Sequence, residues 1–275
     1  MSKSDIDASE APLIEHLIEL RSRLIWCVLG FIAAFIFSFW FSDDILRILL
    51  LPFVWGTGAS DKINLISTVL LGVFLVKLKI AVFGGIFVGF PLIATQIYRF
   101  VAPGLYKHEK GAFLPYLLAT PVFFILGACL VYFFLLPVAI HFFYSLASGI
   151  GGDGGIPVEL MPDIQAYLDF VIMLILAFGF CFQLPVILTL LGQIGVLSYE
   201  QLKKGRKFAI VGVFIVAAVL TPPDPISQIA MAVPLMLLYE VSVQAVRFIE
   251  GRRKRREAAE AAKEAAEAQR PTPSS

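Results

Sequence analysis

The sequence predicts an all-α membrane protein: six transmembrane helices with a short, kinked last hairpin and both termini cytoplasmic. Three observations predict it. Apolar residues make up 59% of the chain and charged residues only 16%, far from the half and the quarter typical of water-soluble domains. Apolar runs recur along the chain, most of them close to the ~20 residues that cross a ~30 Å hydrocarbon core at 1.5 Å per residue. Finally, if six spans are drawn, 18 Lys and Arg fall on one side and 4 on the other, and the positive-inside rule assigns the richer side to the cytoplasm.

Residues 1–23 read as a cytoplasmic amphipathic helix. Ser9-Glu10-Ala11-Pro12 has the composition of a helix start. Leu13, Ile14, Leu17, Leu20 and Leu24 then recur at helical spacing, with Glu15, His16, Glu19, Ser22 and Arg23 mostly on the opposite face. Such a helix lies at the interface and leads into the membrane. Met1 to Pro12 carries no small-residue cleavage site after an apolar core, so no removed signal peptide is expected. On this helix Glu19 stands four residues before Arg23, the spacing of an intrahelical ion pair.

Residues 24–248 form the membrane domain. Leu24 to Phe41 is the first span, ended by Asp43-Asp44. An interfacial segment with a short helix from Ile45 to Leu50 follows. The second span runs from about Leu70 to Ile97, with Lys77 and Lys79 near its start, where they can snorkel to the headgroups. Gly85 and Gly89 make a GxxxG on it, a spacing for close helix contact. Phe113 to Tyr144 is the third span, punctuated by Pro115, Pro121 and Pro137, which free carbonyls and bend helices. The glycine-rich Ser148–Pro157 lacks both a preceding strand and a following Lys-Ser/Thr, so it is a loop rather than a phosphate cradle.

Leu168 to Val196 is the fourth span, with Gln183 and Pro185 in its middle. Ser198 to Lys207 reads as a short basic loop. The fifth span, Phe208 to Leu220, would rise only about 20 Å, and the sixth, interrupted by Pro234, is also short in apolar residues. The last hairpin should therefore thin the bilayer or sit below one surface. Residues 249–275 form a cytoplasmic tail: basic, then helix-prone from Glu257 to Ala268, then disordered.

Catalytic patterns are missing. His16, His108 and His141 cannot assemble HExxH or a Ser-His pair from local spacing, and Cys27, Cys129 and Cys181 sit in apolar runs without CxxC spacing. No catalytic residue, metal ligand, cofactor or nucleic-acid partner is expected. What stands out is a pair of acids, Glu19 and Glu109, each just outside the start of a span on the basic side. Two carboxylates at a low-dielectric boundary can hold a permanently charged guanidinium partner.

Three segments carry a resemblance: His16-Leu17-Ile18-Glu19-Leu20-Arg21-Ser22-Arg23-Leu24, Phe100-Val101-Ala102-Pro103-Gly104-Leu105-Tyr106-Lys107-His108-Glu109, and Leu220-Thr221-Pro222-Pro223-Asp224. Together they resemble the signature segments of the TatC family, the polytopic subunits of the twin-arginine protein translocase. The similarity extends from about Leu13 to Phe248. The resemblance implies a multi-pass receptor of the cytoplasmic (inner) membrane that binds signal peptides bearing an Arg pair. Such a receptor passes folded proteins across the membrane with the proton-motive force, in a multimeric complex with single-span TatA/TatB-type subunits and membrane lipid.

Carried over by position, the signal-peptide site comprises Glu19, Glu109, Arg21, Phe100, Leu105, Lys107 and His108, with the two acids contacting the arginines. Partner docking falls to Gln183, Thr221 and Gln228. Gln183 departs from the pattern, because many relatives carry a membrane-embedded Glu there and an amide cannot carry a proton. From another functional class, a secondary transporter of a small solute would suit the Pro-rich, broken helices, although no internal repeat is evident. A purely structural scaffold would leave the paired acids without a role.

Overall fold

The computed structural model describes residues 3–57, 66–67, 70–105, 110–150, 162–220 and 225–268. They form α1 (Lys3–Trp40), α2 (Ser42–Thr57), α3 (Gly72–Leu105), α4 (Lys110–Leu130), a π-helical turn (Val131–Leu135), α5 (Leu136–Ile150), α6 (Ile164–Cys181), α7 (Leu184–Gln193), α8 (Tyr199–Leu220) and α9 (Pro225–Ala268). Among the described residues, β pairing is limited to an isolated bridge between Ile66 and Asp163. Five segments of the described residues are long and apolar enough to cross a membrane: Leu17–Trp40, Gly72–Phe100, Pro115–Leu146, Ile164–Gln193 and Gln228–Arg255. The chain divides into two compact units, Met1–Cys181 and Phe182–Ser275.

In the first unit, α1 is longer than the sequence suggests. The helix expected from Ser9 begins at Lys3 and runs unbroken for 38 residues, through both Pro12 and Gly30. It packs antiparallel to α3 through small residues. A Cβ on Gly85 would sit 2.9 Å from the Phe31 ring and 3.3 Å from the Phe35 backbone, and one on Gly89 would touch Ala34 at 3.8 Å. Gly84 meets Ser38, and Gly30 takes the Leu92 side chain. The GxxxG of α3 is thus a seat for α1, as the spacing predicts: lipid does not drive helices together, so close backbone approach must. The rest of α1 stays uncovered, with Trp26, Phe37 and Trp40 among its exposed apolar residues.

Aromatic packing joins α3, α4 and α6. Phe90 stacks on Phe124 with centroids 3.9 Å apart, and Phe180 meets both rings edge-on. Gly179 leaves the space that the Phe124 ring occupies, since a Cβ there would come within 2.6 Å of it.

Proline explains the next contacts. Pro52 lies inside α2 and has no N–H for the carbonyl four residues back, at Ile48. The Tyr132 hydroxyl donates to that Ile48 carbonyl at 2.6 Å, and the buried Tyr167 hydroxyl donates to Leu49 at 2.8 Å. Tyr132 belongs to the π-helical turn just before Pro137, where the Leu136 N–H reaches back to Val131. Pro137 cannot donate either, so the wider turn absorbs the mismatch. Lys77 and Lys79, expected to snorkel, are ion-paired: Lys77 with Asp43 at 2.9 Å, Lys79 with both Asp169 oxygens at 2.6 and 2.8 Å.

In the second unit, α7 ends in a Schellman motif. Gly195 adopts φ 79°, the Val196 N–H bonds the Leu191 carbonyl at 3.0 Å and the Gly195 N–H bonds Gly192 at 3.1 Å. Three residues later a capping box opens α8: the Ser198 N–H donates to Gln201 Oε1 at 2.9 Å, and the Gln201 N–H returns a bond to Ser198 Oγ at 3.3 Å. Leu197 and Leu202 join the apolar cluster around Val243 and Val246, the staple that accompanies such a cap. The segment expected as a basic loop from Ser198 to Lys207 is therefore helix from Tyr199 onward.

This changes the reading of the last hairpin. α8 has 22 residues, about 33 Å, and its basic first half, not its length, keeps it out of the apolar segments above. α9 continues past the membrane-length segment to Ala268, as the Ala- and Glu-rich tail predicts.

The Ser38–Gly84 crossing provides a stability test. Gly84→Ala should destabilise the detergent-solubilised protein by about 1–3 kcal/mol through overpacking, read from its unfolding midpoint. Ser38→Gly in the same chain should recover part of the loss. A Gly84→Ala protein with wild-type stability would mean that α1 and α3 have slack at this level.

Candidate functional site

The antiparallel register of α1 and α3 sets the site. Ser38 lies against Gly84, Ala34 against Gly89 and Gly30 against Leu92; one and a half turns further, Arg23 meets Gln96. The Arg23 guanidinium donates to Gln96 Oε1 at 3.3 Å and to Glu19 Oε1 at 3.1 Å. Glu19 and Arg23 are both partly buried, with side-chain exposures of 34% and 29%. The intrahelical pair legible in the sequence therefore exists, and Gln96 ties it to the second helix.

Another turn along the same register sets Glu19 level with Phe100, close to where α3 ends at Leu105. Phe100 is half-buried, while Arg21 and Arg99 are exposed. Lys107, His108 and Glu109 lie outside the described residues, so the structure gives no distance between the two acids. Gln96 is the residue that sequence reasoning missed. Its signal was weak: one amide in an apolar helix, four residues before Phe100.

Chemically, Glu19 is a carboxylate already holding one guanidinium. Arg23 engages it through Oε1, and a carboxylate offers about four lone-pair sites, enough for a second, bidentate guanidinium. The amide oxygen of Gln96 gives Arg23 a second acceptor, on the neighbouring helix. Among the described residues, no three His, Cys, Asp or Glu side chains gather as a metal site would require.

The residues that the resemblance assigns to docking fall in the second unit. Gln183 is 7% exposed and caps the start of α7 without a side-chain cap bond. Gln228, near the start of α9, donates to the Phe214 carbonyl of α8 at 3.4 Å, so it joins the two arms of the hairpin. Thr221 lies outside the described residues. Arg206 of α8 and Glu240 of α9 form a further link at 2.6 Å, which periodicity alone did not indicate.

Comparison with known proteins agrees with this architecture. The family model described as Sec-independent protein translocase protein (TatC) matches residues 15–234. The chain is 43% identical over 251 residues to the Sec-independent protein translocase protein TatC of Magnetococcus marinus, covering 91% of this chain and 89% of that one. It is 36% identical over 246 residues to the protein of the same name from Escherichia coli, covering 90% and 92%. A crystal structure described as the twin arginine translocase receptor TatC superposes with a TM-score of 0.73 at 36% identity, covering 83% of this chain and 97% of that one. The chain therefore belongs to the TatC family of Sec-independent protein translocase proteins, multi-pass components of the inner membrane that serve a translocase and are not enzymes.

Proposed function

We propose that this chain is the receptor and core subunit of a twin-arginine translocation system. It binds twin-arginine signal peptides at the cytoplasmic face and passes folded proteins across the membrane with the proton-motive force. One observation carries the reading: Arg23 and Gln96 hold Glu19 at the end of the α1–α3 pair, level with the segment that leads to Glu109. Glu19 and Glu109 together grip the two guanidinium groups, while Arg21, Phe100, Leu105, Lys107 and His108 shape the surrounding face. Identity of 36–43% over nine-tenths of the chain favours translocation over transport of a small solute.

The deciding measurement is binding of a signal peptide to wild type, Glu19→Gln and Glu109→Gln, each with Arg-Arg and Lys-Lys versions. Removing one partner of a desolvated charge pair typically costs 2–5 kcal/mol, so either substitution should weaken Arg-Arg binding about thirtyfold or more. The preference over Lys-Lys should shrink with it. Exposed acids would yield only about 0–1 kcal/mol. Variants that keep the wild-type ratio of the two peptides would place recognition elsewhere.

The orientation that goes with this function counts α8 as a sixth span and sets residues 1–23 and 249–275 in the cytoplasm. It rests on the 18 to 4 division of Lys and Arg. In a background free of Cys27, Cys129 and Cys181, a cysteine at Ser148 should react with an impermeant reagent from outside and one at Lys204 from inside. The reverse pattern would sink the arrangement.

Single-span TatA/TatB-type subunits dock, on this reading, at the α8–α9 hairpin through Thr221 and Gln228, with Gln183 as a further polar contact. Gln183 is buried, so a partner reaches it only after displacing what covers it. A hydrogen bond in the membrane contributes about 1 kcal/mol, or roughly fivefold in affinity. Gln228→Leu should weaken co-purification of the partner by that factor and leave peptide binding intact. Gln183→Leu should do so only if that displacement occurs. Unchanged co-purification by both variants would remove the amides from docking.

A further inference from the structure

α9 leaves the membrane through a run of cations. Twenty residues separate Gln228 from Phe248, a rise of about 30 Å that matches the hydrocarbon core. Arg252, Arg253, Lys254 and Arg255 begin one turn later, and all four are exposed. Consecutive helical residues point in successive directions around the axis, so these four make a collar and not a face. Helical side chains also tilt toward the N-terminus of their helix, here back toward the membrane. Arg252 shows this tilt: its guanidinium lies 4.3 Å from the centroid of the Phe248 ring, and that ring is exposed.

The corner between α7 and α8 stands at the same level. The Tyr199 N–H donates to Glu250 at 3.0 Å, and Arg253 lies over Gly195, where a Cβ would come within 2.6 Å of the guanidinium. Lys203 and Arg247 flank the Tyr199 ring at 6.0 and 5.5 Å from its centroid, and both are exposed, as is Lys204. Of the nearby acids, Glu250 is engaged by Lys254 at 3.0 Å as well as by Tyr199, and Glu200 is exposed. The patch is thus strongly positive, and its cations are open to the surroundings.

Further along the helical tail the charge reverses, with Glu257, Glu260, Glu264 and Glu267 against Lys263. A nucleic acid or an acidic protein lying along α9 would run into these acids, whereas a bilayer surface meets the collar alone. We propose that the collar of residues 252–255 binds the headgroups of acidic phospholipids where α9 leaves the bilayer. Attraction of Lys and Arg to such a surface falls off within a Debye length, so the collar, one turn beyond Phe248, is close enough to gain from it. The acids of the tail are repelled by the same surface, which turns the tail away from it. The collar selects lipid without fixing depth, because long basic side chains follow the headgroups. This holds for either orientation of the chain and does not involve the signal-peptide site.

The test places a photoreactive phenylalanine analogue at Phe248 of the full chain, in nanodiscs of equal phosphatidylglycerol and phosphatidylcholine with identical acyl chains. Mass spectrometry counts the captured lipids. Phosphatidylglycerol should exceed phosphatidylcholine about fivefold, the weight of one cation at a charged surface, and high salt should shrink the excess. Arg252→Gln, Arg253→Gln, Lys254→Gln and Arg255→Gln together should bring the two lipids to parity. Arg252→Gln with Arg255→Gln alone leaves the contacts of Lys254 with Glu250 and of Arg253 with Gly195 in place, and should still lower the excess. The same analogue at Trp40, exposed near Asp43 and Asp44 in the other unit, should capture the two lipids at parity. Parity at Phe248 in the wild-type collar would overturn the proposal, as would an excess that survives both sets of substitutions or appears equally at Trp40. So would capture of protein or nucleic acid, and no lipid, by the Phe248 analogue in native membranes.

Discussion

Close approach of α1 and α3 is the constraint on which the first unit depends. In hydrocarbon there is no hydrophobic gain from pressing two apolar helices together, so contact must come from backbone proximity. Gly84, Gly85 and Gly89 provide it against Ser38, Phe35, Phe31 and Ala34. The crossing also fixes register along two long helices, and register carries Arg23 to Gln96 and Glu19 to the level of Phe100. A side chain added at a glycine in mid-membrane would thus be felt at the far end of the helix pair. The acid that meets the cytoplasm on the proposed reading is placed by residues four to five turns away.

The second organising theme is the fate of carbonyls released by proline. Hydrocarbon offers them no water, so each needs a protein donor. Tyr132 and Tyr167 serve Ile48 and Leu49 in the stretch of α2 before Pro52, and the hydroxyls thereby tie α2 to the π-helical turn and to α6. The aromatic richness of the chain, 25 Phe and 8 Tyr, then divides by chemistry. Phenylalanines fill the α3–α4–α6 packing, and Tyr132 and Tyr167 each place a hydroxyl on a carbonyl in the stretch of α2 before Pro52.

Much of this was legible in the sequence, and the exceptions have physical causes. Apolar runs locate the membrane helices because lipid demands continuous apolar length, and Gly85 and Gly89 announced a helix contact, although not with which helix. The pair Glu19–Arg23 could be read from its spacing. Gln96 could not, because a contact across 73 residues leaves no local pattern. The start of α8 was misread because four basic residues resemble a loop, while the reciprocal cap of Ser198 and Gln201 was present but overlooked. The pairing of Lys77 with Asp43 and of Lys79 with Asp169 leaves no local pattern either, because the acids come from other helices. Local chemistry is visible in a sequence; the partner brought from afar is not.

The corner between α7 and α8 has a consequence of its own. The Schellman bonds at Gly192 and Leu191 and the reciprocal cap of Ser198 and Gln201 satisfy local backbone groups from within the corner. Such a corner depends less than an ordinary loop on a fixed supply of interfacial water, so its height relative to the bilayer surface is not pinned by its backbone. With basic side chains on α8 long enough to reach upward, this corner can ride at different depths as the surrounding membrane thins or thickens. The hairpin behind it is then a float and not an anchor.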